Sequence, residues 1–146
     1  MIKSSCDKNK NRKNTKSKNT KPELKIRSYL FSKGLRFRIH HTGLPGTPDI
    51  VLPRYKIIIN VNGCFWHQHG CTHTKTPNTK RDFWHNKFKE TKYKDAKNRV
   101  KLERLGWNVI DLWECAIMNE KSFNNVLKAL FFKIEHVENN IKYIYA

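Results

Sequence analysis

Hydrophobic positions switch between helical and strand spacing along the chain, and each switch predicts an element. Leu24, Ile26, Tyr29, Leu30 and Phe31 give a partly apolar face after Thr20-Lys21-Pro22-Glu23. Thr20 can cap this helix, Pro22 suits its first turn, and Glu23 favours the positive end of its dipole. Gly34 ends it. Leu35 to His40 alternates apolar and basic residues, the period of a strand. Gly43-Leu44-Pro45-Gly46-Thr47-Pro48 is turn material, followed by Asp49 and the short buried-strand run Ile50-Val51-Leu52. Pro53 and Arg54 then turn the chain into Tyr55 to Val61, the segment richest in β-branched residues. Pro77 to Gly106 has no interior Gly or Pro and predicts a long charged helix. Its thin apolar stripe is Phe88, Tyr93, Ala96, Val100 and Leu105. Trp107 to Trp113 reads as another strand. Ser122 can cap a last helix whose face is Phe123, Val126, Leu127, Leu130, Phe131 and Ile134.

The predicted order is helix, strand, strand, strand, helix, strand, helix. The tight turn between the central strands makes them a hairpin, and the strand after the long helix can return to the same sheet. The expected fold is α/β, a small mixed sheet flanked by helices. A length of 146 residues suits one domain. We place it over residues 19–146, behind a basic arm at 1–18 that is expected to be disordered. Met1 to Lys21 holds eight Lys or Arg, one Asp and no aromatic residue.

Charge narrows the function. The chain carries 30 Lys and Arg against 12 Asp and Glu, a net charge of +18. Phosphates attract such a chain and release counterions when it binds, so nucleic acid is the expected partner. Aromatic residues at 12% exclude a wholly disordered basic chain. No apolar run reaches the roughly 18 residues of a membrane helix, and the polar N-terminus lacks the apolar core of a signal peptide. A cytoplasmic setting is expected, at the nucleoid when the protein acts. In that setting four Cys argue for a metal or a reactive thiol rather than for disulfides.

Cys64-Phe65-Trp66-His67-Gln68-His69-Gly70-Cys71 concentrates two Cys and two His in eight residues. Structural zinc takes four N or S ligands. Cys64, His69 and Cys71 can fold around one ion. Cys115 follows a strand just as Cys64 does, so adjacent strands can bring it in as the fourth, with His67 and His73 as competitors. Asp49, at the edge of a Pro/Gly turn and an apolar strand, suits a divalent cation such as magnesium. Glu23 reads on position alone as a surface residue favoured by the helix dipole. His67, held beside a metal site, can act as a general base on water. Phe65 and Trp66 sit between candidate ligands, and Trp84 opens a basic helix that includes Lys87. Each aromatic reads either as core or as a wedge between bases.

Taken in order, several of these segments resemble the Vsr very-short-patch repair endonucleases. The matching pieces are N-T-K-P-E at 19–23, L-P-G-T-P-D at 44–49, N-G-C-F-W-H-Q-H-G-C at 62–71, F-W at 83–84, L-G-W-N-V at 105–109 and W-E-C-A at 113–116. The resemblance implies a restriction-endonuclease-like fold with a structural zinc. It implies an enzyme that nicks duplex DNA 5′ to the thymine of a T:G mismatch left by deamination of 5-methylcytosine. Magnesium would be the catalytic cofactor, on Asp49 and the backbone carbonyl of Val61. His67 would be the general base and Glu23 would support the water network around magnesium. Cys64, His69, Cys71 and Cys115 would hold zinc. Phe65, Trp66 and Trp84 would insert beside the mismatch, with Lys87 on DNA.

Many members have Thr-His where this chain has Val61-Asn62. The carbonyl is retained, but Asn62 cannot take up a proton as the accessory His can. Arg12 falls where the family often has an apolar residue that enters DNA. The expected partner is double-stranded DNA with a T:G mismatch, met by a monomer and followed by repair proteins. Two alternatives stand beside it: a zinc-stabilised DNA-binding protein without catalysis, and a nuclease of the same fold with a restriction-like target.

Overall fold

Ile57, Ile58 and Ile59 are fully buried, and the fold is built around the strand that carries them. The structure is a computed structural model that describes residues 18–71 and 74–145. The basic arm, with Arg12 and Cys6, and the competing ligand His73 lie outside the described residues. Strand β3 (Ile57–Asn62) pairs antiparallel with β2 (Ile50–Leu52) and parallel with β4 (Asn108–Trp113). A two-residue β1 (Arg38–Ile39) pairs antiparallel with β2, which completes the mixed four-stranded sheet β1-β2-β3-β4. The hairpin and the returning parallel strand are as the sequence predicts.

Alternation along β3 separates two cores. On one face Ile57 and Ile59 join Ile50, Leu52 and Ile110. Against them pack Ile26 and Leu30 of helix α1 (Lys21–Ser32), Ile117 of α4 (Glu114–Met118), and Leu130 and Ile134 of α5 (Glu120–Tyr145). Each such side chain contributes roughly 1.5–3 kcal/mol by leaving water. On the other face Ile58, Val51 and Val109 meet Leu102 of the long helix α3 (Arg81–Arg104), with Leu44 and Trp107 packed against them. Phe88 and Leu102 are the buried residues of α3. The helix therefore packs near its two ends, and a cleft of about 920 Å³ opens along its middle, lined by Asp49, Val61, His67, Lys92, Asp95 and Asn98 among others.

Four expectations are corrected. The first strand is two residues long rather than Leu35 to His40, because Leu35 and Phe37 pack on the helical core instead of joining a ladder. The third strand begins at Ile57, since Pro53–Tyr55 forms a 3₁₀ turn and Lys56 takes a left-handed conformation. The stripe proposed for α3 is wrong at Tyr93, Val100 and Leu105, which are 69%, 45% and 57% exposed, and at Ala96, which is exposed too. The inward face runs Phe88, Asp95, Leu102, a seven-residue spacing that holds one face of a helix. Ser122 does not cap α5. The Asn119 side chain accepts from the N–H groups of Lys121 (3.0 Å) and Ser122 (3.3 Å). Among the described residues no helix is long and apolar enough to cross a membrane.

Candidate active site and metal centre

Strand β3 ends at Asn62, and Gly63 opens a one-turn helix, α2 (Cys64–His67). Gln68 closes that turn in a left-handed conformation, and Gly70 adopts φ +95°, so the chain reverses within a few residues. The reversal brings Cys64, His69 and Cys71 together. Parallel pairing sets Asn62 opposite Trp113, and so places Cys115 beside Cys64. The donor atoms of Cys64, His69, Cys71 and Cys115 all lie within 4.8 Å of one another. His69 Nε2 is 3.2 Å from the Cys64 sulfur and 3.6 Å from the Cys115 sulfur. His67 is not part of this group.

The cluster fits a cation. Burial, reinforced by the Cys115 and Cys71 thiols, pushes the Cys64 thiol up to about 12, against the pull of the Cys115 backbone N–H. Three thiols packed this closely around an imidazole need a positive charge before they can ionise together. His69 is shifted down by burial, toward the neutral form a ligand requires. Its ring stacks on Trp113 at 3.9 Å, which fixes its orientation.

Asp49 lies on the other side of the β3 terminus. The turn before it is tucked under α3: Gly46 has φ +78°, and a Cβ there would sit 2.7 Å from the Asn98 side-chain nitrogen. Asp49 Oδ2 accepts the Val61 N–H at 2.8 Å. Burial raises the Asp49 carboxyl above its ordinary value, and the Glu23 charge adds to the rise. The Val61 N–H and the His40 and His67 rings pull the other way. A half-buried carboxylate held by the Val61 N–H at the strand end offers the hard oxygen that suits magnesium, and a cation there would offset the charge that burial disfavours.

Glu23 contradicts its positional reading as a surface residue: it is 2% exposed. It accepts from the Asn19 N–H (3.1 Å), the Thr20 hydroxyl (3.2 Å) and Arg27 (2.8 Å). Thr20 thus donates to Glu23 and makes no side-chain cap of its own. Glu23, His40 and Asp49 form a second compact donor group, again within 4.8 Å.

His67 faces the same cleft as Asp49. Its Nδ1 lies 2.6 Å from Asp95 of α3. A carboxylate only accepts, so Nδ1 donates, and in the neutral ring Nε2 is left as the acceptor. Asn62 also lines the cleft.

Phe65 makes edge-to-face contacts with Trp66 (5.1 Å), Trp84 (5.3 Å) and Phe88 (5.3 Å). Trp66 is 37% exposed and lines the cleft with Phe65. Phe88 anchors this aromatic group in the core, while Trp66 shows its ring to the solvent. Lys87 is exposed on α3 and lies 3.6 Å from Glu90.

Sequence reasoning missed Asp95, His40 and Arg27. For Asp95 a signal existed: it falls seven residues from both Phe88 and Leu102, an acid on the only face of α3 that turns inward. His40 and Arg27 meet only because β1 passes α1, and no local spacing announces that.

Comparison with known proteins identifies the lineage. Residues 3–73 match the profile of the DNA mismatch endonuclease Vsr family. A type II nicking enzyme of Xanthomonas oryzae pv. oryzae is 40% identical over 116 residues, spanning 77% of this chain and 85% of that protein. A type II nicking enzyme of Neisseria meningitidis serogroup A is 39% identical over 119 residues, 82% of this chain and 85% of the relative. The DNA mismatch endonuclease Vsr of Escherichia coli K12 is 35% identical over 116 residues, 80% of this chain and 74% of that one. With this similarity across most of its length, the chain belongs to the DNA mismatch endonuclease Vsr family, and its mixed sheet flanked by helices is that family's restriction-endonuclease-like fold.

Proposed function

We propose that this protein nicks duplex DNA on the 5′ side of the thymine in a T:G mismatch, using magnesium, and that zinc holds the Cys/His cluster. The observation that carries the reading is one cleft that gathers Asp49, the Val61 edge and the His67–Asp95 pair, with Phe65 and Trp66 at its wall. Family membership supplies the reaction class, and the names of the relatives supply mismatch recognition and strand nicking.

Each residue has a physical task. Asp49 and the Val61 carbonyl would hold magnesium, which supplies positive charge at the scissile phosphate and the leaving oxygen. The Val61 N–H fixes the carboxylate so that it points at the strand end. Asp95 holds the His67 ring by Nδ1, and Nε2 takes the proton of the attacking water. Asn62 lines the cleft without taking up a proton, so His67 is the only imidazole assigned to proton transfer. Glu23, held by Thr20, Asn19 and Arg27, keeps a negative charge behind Asp49. Trp66, with Phe65 and Trp84 behind it, enters the duplex. Unstacking a step costs a few kcal/mol and costs less at a mismatch, so deformation contributes to the choice of site. Lys87 and its basic neighbours on α3 contribute salt-sensitive affinity for phosphate.

The test is a nicking assay on matched T:A and mismatched T:G duplexes of one sequence, with and without magnesium. Nicking of T:G alone, 5′ to the thymine and only with the ion, is the expected result. Equal cleavage of both duplexes would refute mismatch recognition, and scission of both strands would favour a restriction-like target.

A further inference from the structure

In a chain of charge +18, an arginine on the wall of the cleft is expected to contact phosphate. Arg99 of α3 stands there, but its guanidinium is already taken by the protein. Nε donates to Glu103 Oε1 at 3.0 Å, Nη1 to Asp111 Oδ2 at 2.5 Å and Nη2 to the Val109 carbonyl at 3.1 Å. The other oxygen of Asp111, Oδ1, accepts from the Asn60 side chain at 3.1 Å. Two carboxylates outweigh the single charge of Arg99, so the group as a whole does not attract phosphate.

Its place in the fold points to another task. Ile58 of β3 and Val109 of β4 lie opposite each other and meet Leu102. One step along, on the same face of the sheet, Asn60 lies opposite Asp111. On α3, Arg99 is one turn before Leu102, and Asp95 is one turn before Arg99, all on one side of the helix. Toward the cleft, the apolar contact of Leu102 gives way to the Arg99 tie, and then to the bond between Asp95 and His67. Phe88 and Leu102, the buried residues of α3, are roughly 21 Å apart along its axis. The stretch between them stands away from the sheet, and a side chain as long as arginine spans the gap.

We propose that Arg99 is a positioning residue: tied to Asp111 and the Val109 carbonyl, it fixes the middle of α3 over β4 so that Asp95 meets the His67 ring. This rests on the His67–Asp95 pair as the proton-transfer group of the proposed function. Arg99 touches neither DNA nor ion in this scheme. Arg99 and Asp111 are 43% and 32% exposed, and ion pairs so exposed add little to stability. Loss of Arg99 should therefore show at the His67 ring before it shows in the fold.

The test uses the zinc-loaded full-length protein. At about pH 8, where an imidazole is ordinarily neutral, long-range ¹H–¹⁵N NMR shows which ring nitrogen of His67 carries the proton. The unsubstituted protein should hold it on Nδ1, facing Asp95, and Asp95→Ala should move it largely to Nε2. Arg99→Met should give a mixture of the two. Single-turnover nicking of a T:G duplex at saturating protein should slow by about tenfold in Arg99→Met, short of the ~10²-fold that a misplacement of roughly 1 Å can cost. In the Asp95→Ala background the same substitution should change the rate by less than about twofold, because its effect passes through Asp95. The slope of log Kd against log salt should stay unchanged, whereas a lost phosphate contact would make it shallower by about 1. Asp111→Asn leaves Arg99 and its contact with Val109 in place. It should act in the same direction, and it carries the test should Arg99→Met fold poorly. A proton on Nε2 in the unsubstituted protein, or on Nδ1 alone in both variants, overturns the proposal. So does an undiminished loss in the Asp95→Ala background, or a shallower salt slope. Absence of T:G nicking by the unsubstituted protein would instead refute the proposed reaction, and leave the NMR comparison readable.

Discussion

Two donor clusters flank the end of β3, and they are built on opposite plans. The Cys/His cluster takes every donor from residues that follow strands: Cys64, His69 and Cys71 after β3, and Cys115 after β4. Four soft donors close around one point and leave no place for substrate. The Asp49 group takes two carboxylates and an imidazole from a turn, a helix start and the end of an edge strand, and it opens into a cleft. A closed tetrad of thiols and imidazole suits an ion that ties strands together, while an open carboxylate suits an ion that meets a substrate. Removing an ion should therefore affect folding at the first cluster and chemistry at the second.

The largest predicted effect breaks the first cluster. Structural zinc in small domains contributes roughly 10–16 kcal/mol of coupled binding and folding at neutral pH. The purified protein should hold about one zinc per chain, and Cys115→Ser should lose both the metal and cooperative unfolding. Metal analysis and thermal melts check this. A zinc-free protein that melts like the unsubstituted one would remove the distinction between the clusters.

The next effect belongs to the second cluster. His67→Ala should slow nicking of a T:G duplex by roughly 10²–10⁴-fold, the usual contribution of a general base. Asp49→Ala should slow it at least as much. Both should keep duplex binding and the melting transition. Single-turnover rates, gel shifts and melts separate the outcomes, and loss of folding in His67→Ala would put it in the wrong cluster.

Asp95→Asn is the milder version of the same test. Asp95 is 47% exposed, so water can partly replace its carboxylate at the His67 ring. The expected loss is about 10–10²-fold, well short of that for a missing base. A loss equal to that of His67→Ala would mean that Asp95 does more than orient the ring.

The two clusters were unequally legible in the sequence. The Cys/His tetrad was readable because its ligands sit within eight residues plus one strand-end analogue, and parallel pairing carries that logic into space. Asp49 and His67 were readable from turn chemistry and the density of the motif. Arg27 and His40 were not, because their meeting depends on how α1 lies against β1. The stripe of α3 was misread because its apolar residues were counted as if the whole helix were packed, whereas it stands away from the sheet along its middle. Tyr93 and Val100 face solvent there, and the inward position between the two anchors is filled by an acid.

The smallest effect is a stability gain at Asp49. Asp49 has a carboxyl raised above its ordinary value chiefly by burial, with Glu23 adding to it. The folded state therefore holds its proton to a higher pH than the unfolded state does. Below the unfolded value both states are protonated and the group is neutral in the balance. As pH rises through the unfolded value and then the folded one, the unfolded chain gains relative stability, and above both the full penalty remains. At neutral pH and without divalent ion, Asp49 thus costs stability. Asp49→Asn keeps an oxygen for the Val61 N–H and removes the charge. It should raise the Tm at pH 7 by ~2–4 °C, the shift expected for about 1 kcal/mol in a domain of this size. The gain should shrink as pH falls through the folded value and vanish below about 4, the unfolded value, where Asp49 is neutral in both states. It should also shrink when Mn²⁺ is added, since the ion stabilises only the protein that binds it. A variant that melts lower than the unsubstituted protein at pH 7 without metal would show that the Asp49 charge is already compensated within the chain, and the open cluster would then resemble the closed one.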